Sequence, residues 1–160
     1  MVLAPTRKRG FSEDALSLEP LFSLVDKVAR HYPVDRTKIY LAGISSGALI
    51  GRWLMVQRPS YWKAVVLIGS PTGEPWTQRV DADKLPPLLF VHGALDPQFP
   101  LQKIARDVRI LRKRGARVQL FADPAVGHDQ PLIWTPRIFD WIAAEGVKSR
   151  HSTPSRPPNP

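Results

Sequence analysis

Apolar positions along the chain fall into two rhythms. Short unbroken runs, Ala64–Ile68 and Pro87–Val91, have the length of strands buried on both faces. Lys38–Ala42 and Arg117–Phe121 are shorter strand candidates, and Val2–Ala4 reads as the end of another. Between them the spacing turns helical. Leu18, Leu21, Phe22, Val25, Val28 and Ala29 predict a helix over Asp14–His31. Ser12 or Asp14 caps it, Pro20 sits near its start or divides off a leading turn, and Pro33 ends it. Gly47–Gln57 is a second helix, stopped by Arg58-Pro59. Leu101–Arg114 is a third, with Gly115 as its C-cap, and Leu132–Ala144 is a last one that Pro136 is expected to interrupt. Thr6–Gly10 reads as a basic loop, and Ser70–Leu85 as a loop rich in Pro, Gly and charge.

Strands alternating with helices predict an α/β fold, a three-layer α/β/α sandwich on a mostly parallel sheet. One domain over 1–147 accounts for the pattern, and no internal repeat occurs. Four prolines in His151–Pro160 cannot join a helix or sheet, so 148–160 is expected to be a disordered Pro-rich tail.

Composition changes this picture little. Apolar residues make up 43% of the 160, ordinary for one globular core. No apolar run is long enough for a membrane span. The N-terminus places its charges after a very short apolar piece, the reverse of a secretory leader, which makes the cytoplasm the default expectation. With no cysteine there are no disulfides and no thiolate chemistry. The net charge of +9 raises the question of nucleic acid. Six of the basic residues, Lys103, Arg106, Arg109, Arg112, Lys113 and Arg114, share a helix with the stripe Leu101, Ile104, Ala105, Val108 and Leu111. They read as the solvated face of that helix, and no nucleic-acid partner is expected.

Three segments carry candidate chemistry. Gly43-Ile44-Ser45-Ser46-Gly47 follows a predicted strand and opens a predicted helix. That is the context of a nucleophile elbow, in which a sharp turn lifts the serine hydroxyl above the sheet. Gly43 and Gly47 let strand and helix approach closely. Free N–H groups at the helix start give Ser46 the place of an oxyanion donor. Ser46 is the competing nucleophile, but the spacing favours Ser45. Leu88–Pro97 runs an apolar strand through His92-Gly93 to Asp96, too far ahead of Leu101 to cap that helix. An Asp there can orient a histidine. Phe121–Asp129 ends a strand and delivers Gly127-His128. His128 can take a proton from serine and return it to a leaving group. His31 ends a helix, His151 lies in the tail, and His92 reads as support for its turn.

The order Ser45, Asp96, His128, each after a successive strand, resembles the α/β-hydrolase superfamily over roughly Val2–Ala144. Val34–Gly43 is similar to the lead-in of its carboxylesterase, feruloyl-esterase and peptidase-like branches. The resemblance implies a serine hydrolase acting on a carboxylic ester, with Ser45 as nucleophile, His128 as base and Asp96 as acid, and no metal or cofactor. A small ester is the expected substrate. Peptidase or thioesterase chemistry with the same triad stays open, as does a non-enzymatic interaction module on the same fold. The loop at Pro71–Trp76 lies where the superfamily often places a lid or acyl pocket. Ile44 and Trp76 are the candidate substrate contacts, and an aromatic covering core is the competing reading of Trp76. Superfamily members carry further strands ahead of the part matched here, and one of their loops supplies a second oxyanion donor. This sequence has no such motif before Ser45. Three accounts remain: a fragment of a longer hydrolase, a short form that completes its sheet with a second copy through an exposed edge, or a degenerate homologue.

Overall fold

The computed structural model describes residues 1–4, 19–71, 74–129 and 134–147. The chain runs α1 (Glu19–His31), β1 (Tyr40–Ile44), α2 (Ser46–Gln57), β2 (Ala64–Ile68), α3 (Glu74–Arg79), β3 (Leu88–Gly93), α4 (Leu101–Lys113), β4 (Val118–Asp123) and α5 (Trp134–Val147). The four strands form one parallel sheet in the order β1-β2-β3-β4. Each crossover steps one place, and the C-terminal ends of all four strands lie along one rim.

Every residue of β2 and β3 is buried, as unbroken apolar runs in the middle of a parallel sheet should be. Successive side chains point to opposite faces. Val65, Leu67, Leu88 and Phe90 join Phe22 of α1, Leu54 and Met55 of α2, and Ile104, Val108 and Leu111 of α4 in the larger core. Val66, Ile68, Leu89 and Val91 meet Trp134 and Ile138 of α5 on the other face. The result is the expected three-layer α/β/α sandwich. The five basic residues of α4 and Arg114 at its C-cap are all exposed, while Ile104, Val108 and Leu111 are buried.

Several boundaries differ from expectation. Lys38 belongs to a 3-10 turn, Arg36–Lys38, because Asp35 caps it through Thr37 N–H at 2.9 Å. The strand therefore begins at Tyr40 and continues to Ile44. The expected loop over 70–85 contains α3 and a 3-10 turn, Ala82–Lys84. Pro75 is compatible with α3 because it occupies the first turn, where no intrahelical N–H bond is lost. Pro136 sits in the first turn of α5 for the same reason and does not interrupt it. Val2–Ala4 belong to no strand and are exposed. The caps at Ser12 and Asp14, the Thr6–Gly10 loop and the 148–160 tail lie outside the described residues.

Among the described residues, β1 is an outer strand paired only with β2. Ala42 and Ile44 on it are exposed, and Gly43 is buried. No helix of the described residues is long and apolar enough to cross a membrane.

Candidate active site

The turn from β1 into α2 puts Ser45 at φ 50° and ψ −115°, the one positive φ at a non-glycine residue among those described. Such a conformation is strained for an L-residue and persists only where its surroundings hold it. Here Ser45 N–H donates to Ile68 O at 2.9 Å, and its carbonyl accepts from Ala48 N–H at 2.9 Å and Leu49 N–H at 3.2 Å. Gly43 makes the tight turn possible: a Cβ there would lie 2.3 Å from Gly47 O. The same role expected of Gly47 does not hold, since a Cβ at Gly47 would meet nothing within 4 Å. Ser46 and Gly47 open α2, where N–H groups have no intrahelical acceptor and the helix dipole favours negative charge.

Asp96 stands in the loop after β3 and is buried, its side chain 1% exposed. Its Oδ1 accepts from Gln98 N–H at 2.8 Å and Phe99 N–H at 2.9 Å. Its Oδ2 lies 2.7 Å from His128 Nδ1. It does not cap α4, whose cap position is Pro100. Burial on its own pushes the Asp96 carboxyl up, but the hydrogen bonds from His128, Phe99 and Gln98 outweigh it and hold the group below its ordinary value. Asp96 is therefore a carboxylate at neutral pH.

His128 follows β4. Its Nε2 lies 3.0 Å from Ser45 Oγ. With Nδ1–H donating to Asp96, Nε2 is bare and accepts from the serine hydroxyl. The loops that carry the acid and the imidazole are laced together. Ala94 N–H donates to Asp123 O at 2.7 Å and Leu95 N–H to Val126 O at 2.9 Å. Gly93 permits this closeness, because a Cβ there would lie 2.1 Å from Gly127 O.

The structure thus brings Ser45, His128 and Asp96 into one hydrogen-bonded chain at the C-terminal rim. That is where parallel α/β sheets handle ligands. The arrangement can pass a proton from the serine hydroxyl to an imidazole steadied by a carboxylate. Ile44, next to Ser45, is 48% exposed. Trp76 lies on α3 against the larger core, with the Arg52 guanidinium 4.9 Å from its ring centroid, a position that suits an aromatic covering core. A cavity of about 460 Å³ lined by Arg36, Ile39, Gln57, Arg58, Pro59, Ser60 and Tyr61 lies beside the start of β1 rather than at Ser45. Its arginines already face Asp26 and Glu19 at 2.6 and 2.7 Å.

Two neighbours of His128 have no sequence signal of their own. Phe99 packs its ring edge-on against the imidazole, centroids 5.3 Å apart. Gly69, with φ +52°, also comes close to the ring: a Cβ there would lie 3.2 Å from His128 Cε1. A glycine directly after a buried strand is the only hint the sequence offers of that approach.

No protein-family model matches the sequence, and neither does any curated protein. Solved structures do match. SOBER1 of Arabidopsis thaliana superposes with a TM-score of 0.65 at 15% identity, over 80% of this chain and 62% of that one. The Bacillus cereus carboxylesterase gives 0.64 at 19%, over 79% and 59%. A putative dienelactone hydrolase from Klebsiella pneumoniae gives 0.67 at 22%, over 81% and 61%. The chain therefore spans less than two thirds of the length of each of these structures. At such identities the likeness speaks to architecture, and in architecture this chain carries the α/β-hydrolase fold.

Proposed function

We propose that this chain carries the catalytic triad of a serine hydrolase that cleaves a carboxylic ester through an acyl-enzyme. The observation that supports it is the unbroken chain from Ser45 Oγ through His128 to Asp96, at 3.0 and 2.7 Å. Strain concentrated at Ser45 agrees with it, because unfavourable backbone conformations persist where a reactive group has to be presented.

In the proposed reaction Ser45 Oγ attacks the acyl carbon while His128 Nε2 takes its proton. Asp96 keeps the imidazole in the required tautomer and stabilises the imidazolium. The N–H of Ser46 faces the developing oxyanion at the α2 N-terminus. His128 then returns its proton to the leaving alcohol. Water, deprotonated by the same imidazole, releases the acid and restores Ser45. Ile44 borders the substrate in this reading. Each step balances with water as co-reactant. A second oxyanion donor would add about 10²–10³-fold in turnover.

Covalent labelling by a fluorophosphonate tests the nucleophile. The parent chain is expected to label and Ser45→Ala to stay unlabelled. Equal labelling of both would remove Ser45 from the mechanism. Turnover of p-nitrophenyl acetate that survives His128→Ala would remove the base.

A further inference from the structure

His92 is 1% exposed at the end of β3, and no step of the proposed reaction uses it. Its Nε2 lies 2.6 Å from the carbonyl oxygen of Phe99 and 3.5 Å from Asp96 Oδ2. Its Nδ1 is buried with no hydrogen-bond partner among the described residues. A carbonyl oxygen can only accept, so the ring proton sits on Nε2.

We propose that His92 is a positioning residue for the acid of the site: it fixes the Asp96 carboxylate through the backbone of Phe99. The inference rests on the function proposed above. Phe99 is the intermediary. Its carbonyl accepts from His92, and its N–H donates to Asp96 Oδ1 at 2.9 Å. Gln98 N–H adds a second donor to that oxygen at 2.8 Å. Two donors on one oxygen set the rotation of the carboxylate and leave Oδ2 directed at His128 Nδ1. The Phe99 ring meanwhile rests edge-on against the His128 imidazole. One residue therefore touches the acid with its N–H, the base with its ring and His92 with its carbonyl. The direct His92–Asp96 approach of 3.5 Å is too long to carry much, so the shorter bond to Phe99 transmits the effect.

Two amide variants of the whole chain test this. Glutamine at 92 presents an N–H near the place of Nε2, and the shorter asparagine presents one near the place of Nδ1. With p-nitrophenyl acetate, His92→Gln is expected to stay within about threefold of the parent in kcat, and His92→Asn to fall about 10–100-fold with KM little changed. A fall in both, or in neither, overturns the proposal. A second readout needs no turnover. The low-field proton resonance of His128 Nδ1–H against Asp96 is expected in the parent and in His92→Gln, and lost or broadened in His92→Asn. If the parent is inert, or labels without Ser45, the esterase reading fails while this resonance still decides the role of His92. A resonance unchanged in His92→Asn overturns it.

Discussion

His128 Nδ1 lies 2.7 Å from Asp96 Oδ2, with the carboxylate 1% exposed and the imidazole 18% exposed. The contact joins the ends of β3 and β4 across 32 positions of sequence. It selects the tautomer that leaves Nε2 free for Ser45. Asp96→Asn keeps the shape, removes the charge and offers an N–H where an acceptor is needed. On the proposed mechanism kcat for p-nitrophenyl acetate falls about 10³–10⁴-fold. A fall below about tenfold would mean that the pair is architectural.

The same carboxylate links stability to acid. Its folded-state pKa is depressed, so its contribution is complete above the unfolded value and disappears as pH falls through the folded one. The stability difference between the parent and Asp96→Asn should be full at neutral pH and shrink below about pH 4. Urea unfolding of both proteins across that range measures it. A difference that does not change with pH would contradict the linkage.

Ser45 carries the cost of its backbone. Glycine adopts φ 50° without a Cβ clash, whereas alanine keeps the strain. Ser45→Gly should therefore be more stable than Ser45→Ala by about 1 kcal/mol, although neither retains a nucleophile. Chemical denaturation in which alanine equals or exceeds glycine would show that the turn is relaxed.

Gly43 and Gly47 should behave unequally. Gly43→Ala drives a Cβ to within 2.3 Å of the Gly47 carbonyl oxygen, while Gly47→Ala enters open space. The first should cost about 3 kcal/mol. The second should change stability by less than about 1 kcal/mol, since alanine also favours the helix. Equal unfolding midpoints for the two variants would refute the close approach.

Gly69 forms a wall beside the imidazole. In Gly69→Ala the new methyl meets His128 Cε1 at 3.2 Å, on a backbone with φ +52°. On the proposed mechanism, displacing His128 should lower kcat about 10–100-fold while the protein stays folded. Circular dichroism alongside turnover separates the two effects, and unchanged kcat would mean that the imidazole has room to move.

Much of this was legible before the structure because the signals are local. The buried runs at Ala64–Ile68 and Pro87–Val91 announce central strands, and Ser45, Asp96 and His128 each follow a strand at a turn. Signals that depend on distant approach were not legible. Nothing in its own neighbourhood marks Phe99 as a contact of His128, and Gly69 is marked only by following a buried strand. The six residues of α3 are too few for a helical period to emerge, and Pro75 suggests a loop. Asp35 shifted the start of β1 through a single cap, because a side-chain bond to Thr37 competes locally with strand geometry. The sequence left Trp76 open between substrate contact and core cover, because its packing against the larger core is set by residues distant in sequence.

Ser45 and His128 meet across 83 positions of sequence, with β2 and β3 lying between the strands that present them. Closing so long a loop costs chain entropy before any contact compensates for it. The contact between Ser45 and His128 therefore depends on long-range closure of the chain. Reactivity at Ser45 would then serve as a gauge of whether all four strands are in register, and a partly folded molecule would be silent.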